Sequence, residues 1–329
     1  MLSDGVDSDR ALRDITVFTG SAHPEFAQEM CDILGIELSP SRTTRFSNDC
    51  LQVQLRSNCR QRDVFIVQPL VPPVQEHLVE LCLMLDAARG ASAAHITAVI
   101  PHYAYARSDK KDAPRISIGG RLVADMIATA GATRVVTMAL HAPQVHGFFS
   151  IPVDHLNAVH ELAEHFKQRD LTNTVIVSPD LGNAKVATQL ARKLDLTVAA
   201  GNKRRLADDK VVIESIVGDV QDKNVIVFDD EIATAASTVE LLRLVRSQGA
   251  RRISLACTHG LFTGPAIERL GAEADIDEIV ITNTVPLAPE KRLPNISVRS
   301  VAPLFAEAVR RITSGQSVSS LFSDEPTYG

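Results

Sequence analysis

Val225-Ile226-Val227-Phe228-Asp229-Asp230-Glu231-Ile232-Ala233-Thr234-Ala235-Ala236-Ser237-Thr238 reads as a buried strand, an acidic turn and the start of a helix that runs to about Gln248. Four apolar residues, two of them β-branched valines, suit a strand covered on both faces. Asp229 and Asp230 fall where that strand is expected to meet its loop. Small and hydroxyl residues follow, which lets an anion approach the bare amides of a helix N-terminus. In open α/β sheets, ligands bind beyond the carboxyl ends of the strands. Paired carboxylates there can grip sugar hydroxyls or a metal ion, so the stretch asks for a phosphorylated sugar.

Working outward, the same pattern appears a second time. Asp63-Val64-Phe65-Ile66-Val67, a helix, Gly90-Ala91 and a strand match Asn224-Val225-Ile226-Val227-Phe228, a helix, Gly249-Ala250 and a strand, about 160 positions on. That echo implies a duplicated α/β fold, each half a mainly parallel sheet flanked by helices. It divides the chain into residues 1–158 and 159–329.

The remaining segments follow the strand–helix alternation that builds parallel sheets. Strands are expected at Ile15–Phe18, Ile96–Ile100, Val135–Leu140, Thr174–Val177, Leu196–Ala200, Ile253–Cys257 and Ile279–Thr282. Helices are expected at Pro24–Leu34, Val74–Arg89, Gly119–Ala130, 158–168, Asn183–Leu194 and Phe305–Ser314. Residues 41–56 alternate as a polar hairpin around Phe46, and residues 1–12 read as a loose arm.

Composition bounds the function. The chain has 329 residues, 45 % of them hydrophobic and only 4 % aromatic, so aliphatic packing must build the cores. A net charge of −6 gives no support for a nucleic-acid or membrane partner. Cys31, Cys50, Cys59, Cys82 and Cys257 lack C-x-x-C spacing and read as reduced thiols without a zinc site. The polar N-terminus lacks a signal core and no apolar run is long enough to span a bilayer. A soluble, cytoplasmic protein is expected.

Other candidate residues fall at strand ends or in polar loops. His141 follows a strand and reads either as a capping residue or as a ligand. Asp180 precedes a helix and reads either as its N-cap or, together with His141, as a holder of a hydrated Mg²⁺ that bridges phosphates. In Tyr105-Ala106-Arg107-Ser108-Asp109-Lys110-Lys111-Asp112 the charges either solvate a loop or place Arg107 on a polyphosphate or a base. Lys203-Arg204-Arg205, next to Ala207-Asp208-Asp209, reads as an exposed, mobile loop. Beside a phosphate site such a loop can close on a transition state and neutralise its spreading charge.

The runs I-P-H-Y-A-Y-A-R-S-D-K-K-D (100–112), A-L-H-A-P-Q-V-H-G-F-F (139–149), I-P-V-D-H-L (151–156), S-P-D (178–180), K-R-R (203–205) and S-V-S-S-L-F (317–322) resemble the ribose-phosphate diphosphokinase family. These are the phosphoribosyl pyrophosphate synthetases, and the resemblance covers residues 14 to 322. It implies two phosphoribosyltransferase-type α/β domains and a reaction in which ATP and ribose 5-phosphate give phosphoribosyl diphosphate and AMP, with Mg²⁺. It further implies His141 and Asp180 at the metal and Lys203 and Arg205 as loop cations. Asp229 and Asp230 would hold the ribose hydroxyls. Ala233, Thr234, Ala235, Ala236 and Ser237 would hold the 5-phosphate. Phe46, Asn48, Cys50, Arg107, Ser108 and Asp109 would hold ATP. Hexamers of dimers, with ATP contacted across a subunit boundary and ADP and phosphate as regulators, are the implied assembly.

The chain departs from the family pattern at Asn48 and Cys50 of the hairpin, at Ser108, at Ala139 and in the phosphate loop. Ala233 replaces an acid. Ala236 stands where glycine would allow a positive φ or a close anion. An active enzyme is expected. The alternatives are a regulatory paralogue that joins an active assembly, and a phosphoribosyltransferase that consumes the activated sugar. The duplicated length and the 107–111 loop speak against the latter.

Overall fold

Apolar runs of four or five residues become the central strands, and the amphipathic stretches between them become the covering helices. A computed structural model describes residues 15–180, 182–207, 210–273 and 275–321. The expected arm over residues 1–12 lies outside the described residues, as does Phe322. Two compact units result, one within Met1–Asn157 and Val301–Gly329, the other Ala158–Ser300.

The first unit contains β1 (Ile15–Thr19), α1 (Pro24–Leu34), β2 (Ser41–Arg45), β3 (Leu51–Leu55), β4 (Asp63–Val67) and α2 (Val74–Gly90). It continues through β5 (His95–Ile100), α3 (Gly119–Ala130), β6 (Arg134–Met138) and β7 (Val153–Leu156). Its sheet is parallel throughout, in the order β1-β4-β5-β6-β7. The β2–β3 ribbon is antiparallel and separate from that sheet.

The second unit contains α4 (Val159–Phe166), β8 (Thr174–Ser178), α5 (Ala184–Leu194), β9 (Thr197–Ala207), β10 (Lys210–Val217), β11 (Asn224–Ile232) and α6 (Ala236–Ser247). It closes with β12 (Ile253–Gly260), α7 (Ala266–Gly271), β13 (Ile276–Thr282) and β14 (Ile296–Arg299). The order β10-β9-β8-β11-β12-β13-β14 is parallel except for the β9–β10 hairpin at one edge. Without that hairpin, β8-β11-β12-β13-β14 repeats the first sheet strand for strand.

Along β11, Val225 and Val227 enter a core with Leu241 and Leu242 of α6. Ile226 and Phe228 enter the opposite core with Leu162, Phe166 and Leu190. Both faces of the strand are therefore apolar, and each fully buried side chain contributes about 1.5–3 kcal/mol of transfer free energy.

The structure moves several expected boundaries. The strand expected to end at Leu140 ends at Met138, because Ala139 adopts φ 43°. The short strand expected over Leu196–Ala200 extends to Ala207, because β10 pairs with it. The acids expected at the strand–loop junction lie inside β11, which continues to Ile232 against β12. The last helix, α8 (Ala302–Thr313), belongs to the first unit and not to the second half. Its Phe305 meets Phe26 of α1 edge-on at 5.4 Å.

Candidate active site

In the second unit, β11 outruns its neighbour. Pairing with β8 stops at Val227, while pairing with β12 continues through Asp229, Glu231 and Ile232. Asp229 and Asp230 thus stand on a ledge with one edge uncovered by β8. The Asp230 amide donates to Asp229 Oδ1 at 2.9 Å, and Asn183 Nδ2 reaches the Phe228 carbonyl at 3.3 Å. Burial first, then the neighbouring Asp230 carboxylate and, more weakly, Asp180, hold the Asp229 carboxyl well above the usual carboxylate range. Behind the ledge, burial and the carboxylates of Asp229, Asp230 and Glu231 push the Cys257 thiol up as well. It stays a thiol, with the Asp230 and His259 carbonyls 3.6 and 3.4 Å away, and is a structural group, not a nucleophile.

The turn that follows is pinned from outside. Phe262 N–H donates to the Ile232 carbonyl at 3.1 Å and Thr263 N–H to the Ala233 carbonyl at 2.9 Å. Arg269 Nη1 donates to the Thr234 carbonyl at 2.9 Å. The chain reverses at Ala235, φ 58° and ψ 11°, and α6 begins at Ala236 without a side-chain cap. The first amides of that helix therefore lack intrahelical partners and face the turn of small residues. The concern over Ala236 moves by one residue: it is helical, and the positive φ falls on Ala235, whose methyl is buried in the unit's core.

Asp180 follows β8, where its Oδ1 accepts the Asn183 amide at 2.9 Å just before α5 and its own carbonyl accepts Ser178 Oγ at 2.7 Å. The N-cap of α5 is Asn183, so Asp180 does not cap the helix itself; one of its carboxylate oxygens braces the loop that leads into it. Lys203 and Arg205 lie on β9, opposite Ile213 and Val211 of β10, so their backbone is a paired hairpin and not an open loop. Their side chains lie outside those described, as do residues Asp208 and Asp209.

In the first unit, Phe46, Asn48 and Cys50 form the exposed tip of the β2–β3 ribbon. Phe46 N–H donates to the Cys50 carbonyl at 2.9 Å and the Cys50 amide to Asn48 Oδ1 at 3.2 Å. Phe46 is 48 % exposed. Arg107 is exposed at the end of a short 3-10 turn. Ser108 Oγ accepts the Gly119 amide at 2.8 Å at the start of α3, and Asp109 accepts Gln144 Nε2 at 2.6 Å. His141 is exposed two residues after the φ-positive Ala139. The Leu140 amide between them donates to His155 Nε2 at 2.9 Å, which requires a neutral acceptor nitrogen. Burial, reinforced by His146, pushes the His155 pKa down to about 4, in keeping with that role.

No group of three or more His, Cys, Asp or Glu among the described residues is arranged to hold a metal ion. What the second unit offers is acidic oxygen: burial, and then the neighbouring Asp230 carboxylate and more weakly Asp180, raise the Asp229 pKa. That fits a hydrated divalent cation drawing most of its ligands from water and phosphate, not an all-protein cage. Asn183, Cys257 and Arg269 were not singled out from the sequence. Arg269 sits on the six-residue α7, too short for a periodic signal.

Residues 15–131 match the N-terminal domain of ribose phosphate pyrophosphokinase, and residues 205–323 match the phosphoribosyl synthetase-associated domain. A Deinococcus radiodurans relative named ribose-phosphate pyrophosphokinase is 50 % identical, covering 94 % of this chain and 98 % of that protein. A Clostridium acetobutylicum relative of the same name is 45 % identical over 95 % of this chain and 98 % of its own. The fold is similar to the crystal structure of phosphoribosylpyrophosphate synthetase from Mycobacterium smegmatis. That match has a TM-score of 0.86 at 36 % identity and covers 92 % of this chain and 99 % of the other.

Proposed function

This chain belongs to the ribose-phosphate pyrophosphokinase family, and from that membership we propose how its residues divide the work. It is an enzyme of nucleotide biosynthesis with two phosphoribosyltransferase-type halves. The diphosphoryl group of ATP passes to the anomeric hydroxyl of ribose 5-phosphate, leaving phosphoribosyl diphosphate and AMP. In bonds, the anomeric oxygen joins the β-phosphorus, the link from that phosphorus to the α,β-bridging oxygen breaks, and the hydroxyl proton is released.

In our reading, the Ala233–Ser237 turn and the first amides of α6 hold the 5-phosphate. Asp229 and Asp230 hold the ribose diol. Carboxylate oxygens accept hydrogen bonds from sugar hydroxyls, which matches two adjacent acids to a diol. The β2–β3 tip, with Phe46, Asn48 and Cys50, takes the base of ATP. Arg107, Ser108 and Asp109 line its phosphates, though Ser108 already caps α3 through its Oγ. Lys203 and Arg205 neutralise charge spreading onto the transferred group, the kind of stabilisation on which phosphoryl transfer depends. His141 and Asp180 hold Mg²⁺, which when bound neutralises the polyphosphate. Hexameric assembly and a cytoplasmic location complete the proposal.

The observation that carries this reading is the pairing, on one ledge and turn, of two carboxylates with an uncapped helix N-terminus. No observation favours a regulatory paralogue, and the helical φ of Ala236 removes one ground for it. The test is AMP release from ATP in the purified protein. AMP should appear only with both ribose 5-phosphate and Mg²⁺ present. ATP binding without AMP formation under those conditions would overturn the assignment.

A further inference from the structure

The first unit contains a buried carboxylate that the reaction does not use. Glu80, on α2, is 1 % exposed and accepts four hydrogen bonds. Its Oε2 takes the Ser21 amide at 3.1 Å, Ser21 Oγ at 2.6 Å and Gln68 Nε2 at 2.6 Å. Its Oε1 takes Thr43 Oγ1 at 2.6 Å. Three of these donors come from the loop after β1 and the end of β4, which fix the carboxylate in place. The fourth is on β2.

A second tie runs parallel to it. Glu76, one helical turn before Glu80, pairs with Arg45, two residues after Thr43. Residues four apart share a face of a helix, and residues two apart share a face of a strand. The two contacts therefore form one seam between α2 and β2. A two-stranded ribbon is marginal by itself, and this one joins neither large sheet. Its far end carries Phe46, and an aromatic surface can stack a base only where its position is fixed.

We propose that Glu80, supported by Glu76, is a positioning residue for the nucleotide: through Thr43 and Arg45 it sets where the β2–β3 tip presents Phe46. This rests on the assignment of that tip to the base of ATP. The seam touches no residue assigned to ribose 5-phosphate, so its loss is selective.

Thr43→Val removes the hydroxyl while keeping shape and strand preference, and leaves the other three donors on Glu80. The KM for ATP should rise roughly five- to tenfold, the KM for ribose 5-phosphate should stay within about twofold, and Thr43→Ser should restore the ATP value. Arg45→Met, which cuts the exposed tie, should act in the same direction with a smaller change, and it serves if the valine variant folds poorly. Phe46→Ala run alongside separates the two assignments. If it leaves the ATP KM unchanged, the tip does not hold the base and both readings fall. If it raises the ATP KM while Thr43→Val does not, or if Thr43→Val raises both KM values equally, only the positioning role is overturned.

Discussion

Two turns occupy the same place in the two halves of the chain, one after β4 and one after β11, and they are finished in opposite ways. After β4 the chain reads Gln68-Pro69-Leu70-Val71-Pro72-Pro73, and this turn is filled with its own side chains. Gln68 and Leu70 are fully buried, and Gln68 Oε1 takes the Ala22 amide at 3.1 Å while its Nε2 donates to Glu80. Gly20 makes room for it: a Cβ there would come within 2.4 Å of the Gln68 amide. After β11 the residues are small, the helix that follows is uncapped, and the anchoring bonds come from behind through Thr263 and Arg269. The same frame offers a ligand its backbone only where side chains are withheld. Where they are supplied, it becomes a polar core that steadies a neighbouring ribbon.

The contrast can be tested by altering each half. Lys203→Ala, in the β9–β10 hairpin of the second unit, should lower turnover by roughly 10²–10³-fold with little change in ribose 5-phosphate KM. An equal loss of affinity would make the lysine a ground-state binder instead. In the filled turn, Gln68→Ala should cost about 2–3 kcal/mol by leaving Glu80 and the Ala22 amide short of partners. Melting would show this as a Tm drop of roughly 5–10 °C, with ribose 5-phosphate KM unchanged. A loss of sugar-phosphate binding would show that the first turn takes part in it after all.

Asp229→Asn reports on the open turn in the opposite sense. The folded state keeps the Asp229 proton above the ordinary carboxylate range, so across that window it binds more protons than the unfolded chain. Stability contributed by this group therefore falls as pH rises through the window, and the cost is fully present above it. The amide should remove that cost, raising Tm at alkaline pH and flattening the pH dependence, while turnover is lost. A lower Tm would mean that the carboxylate is compensated in the free protein. The smallest effect is expected at Ala235→Gly. Relief of the positive φ, worth about 1 kcal/mol, is offset by the lost buried methyl and added unfolded-state entropy. Tm should shift by no more than about 2 °C, and ribose 5-phosphate KM should hold.

Much of this architecture was legible from local pattern. The helices at Pro24–Leu34 and Gly119–Ala130 match their expected ranges residue for residue, because proline, glycine and apolar spacing mark both ends. The strands β7, β10 and β14 and the helix α7 were not expected. β7, β14 and α7 are only four to six residues long, and β10 follows directly on β9, where the basic run masks the strand pattern. Glu80 carried no signal either: one acid in an amphipathic helix looks like any solvated face until the fold brings Ser21, Gln68 and Thr43 around it.

By itself, the sequence determined the strand–helix alternation, its duplication and the chemical character of the 229–237 stretch, since these depend on side-chain type and spacing along the chain. Tertiary structure decided how far β11 runs, because backbone pairing with β12 sets that limit. It also decided that α8 returns to the first unit, because an apolar helix face specifies burial but not its partner. The same holds for the two turns: small residues announce an open cradle, but only packing reveals that Gln68 and Glu80 have closed its twin.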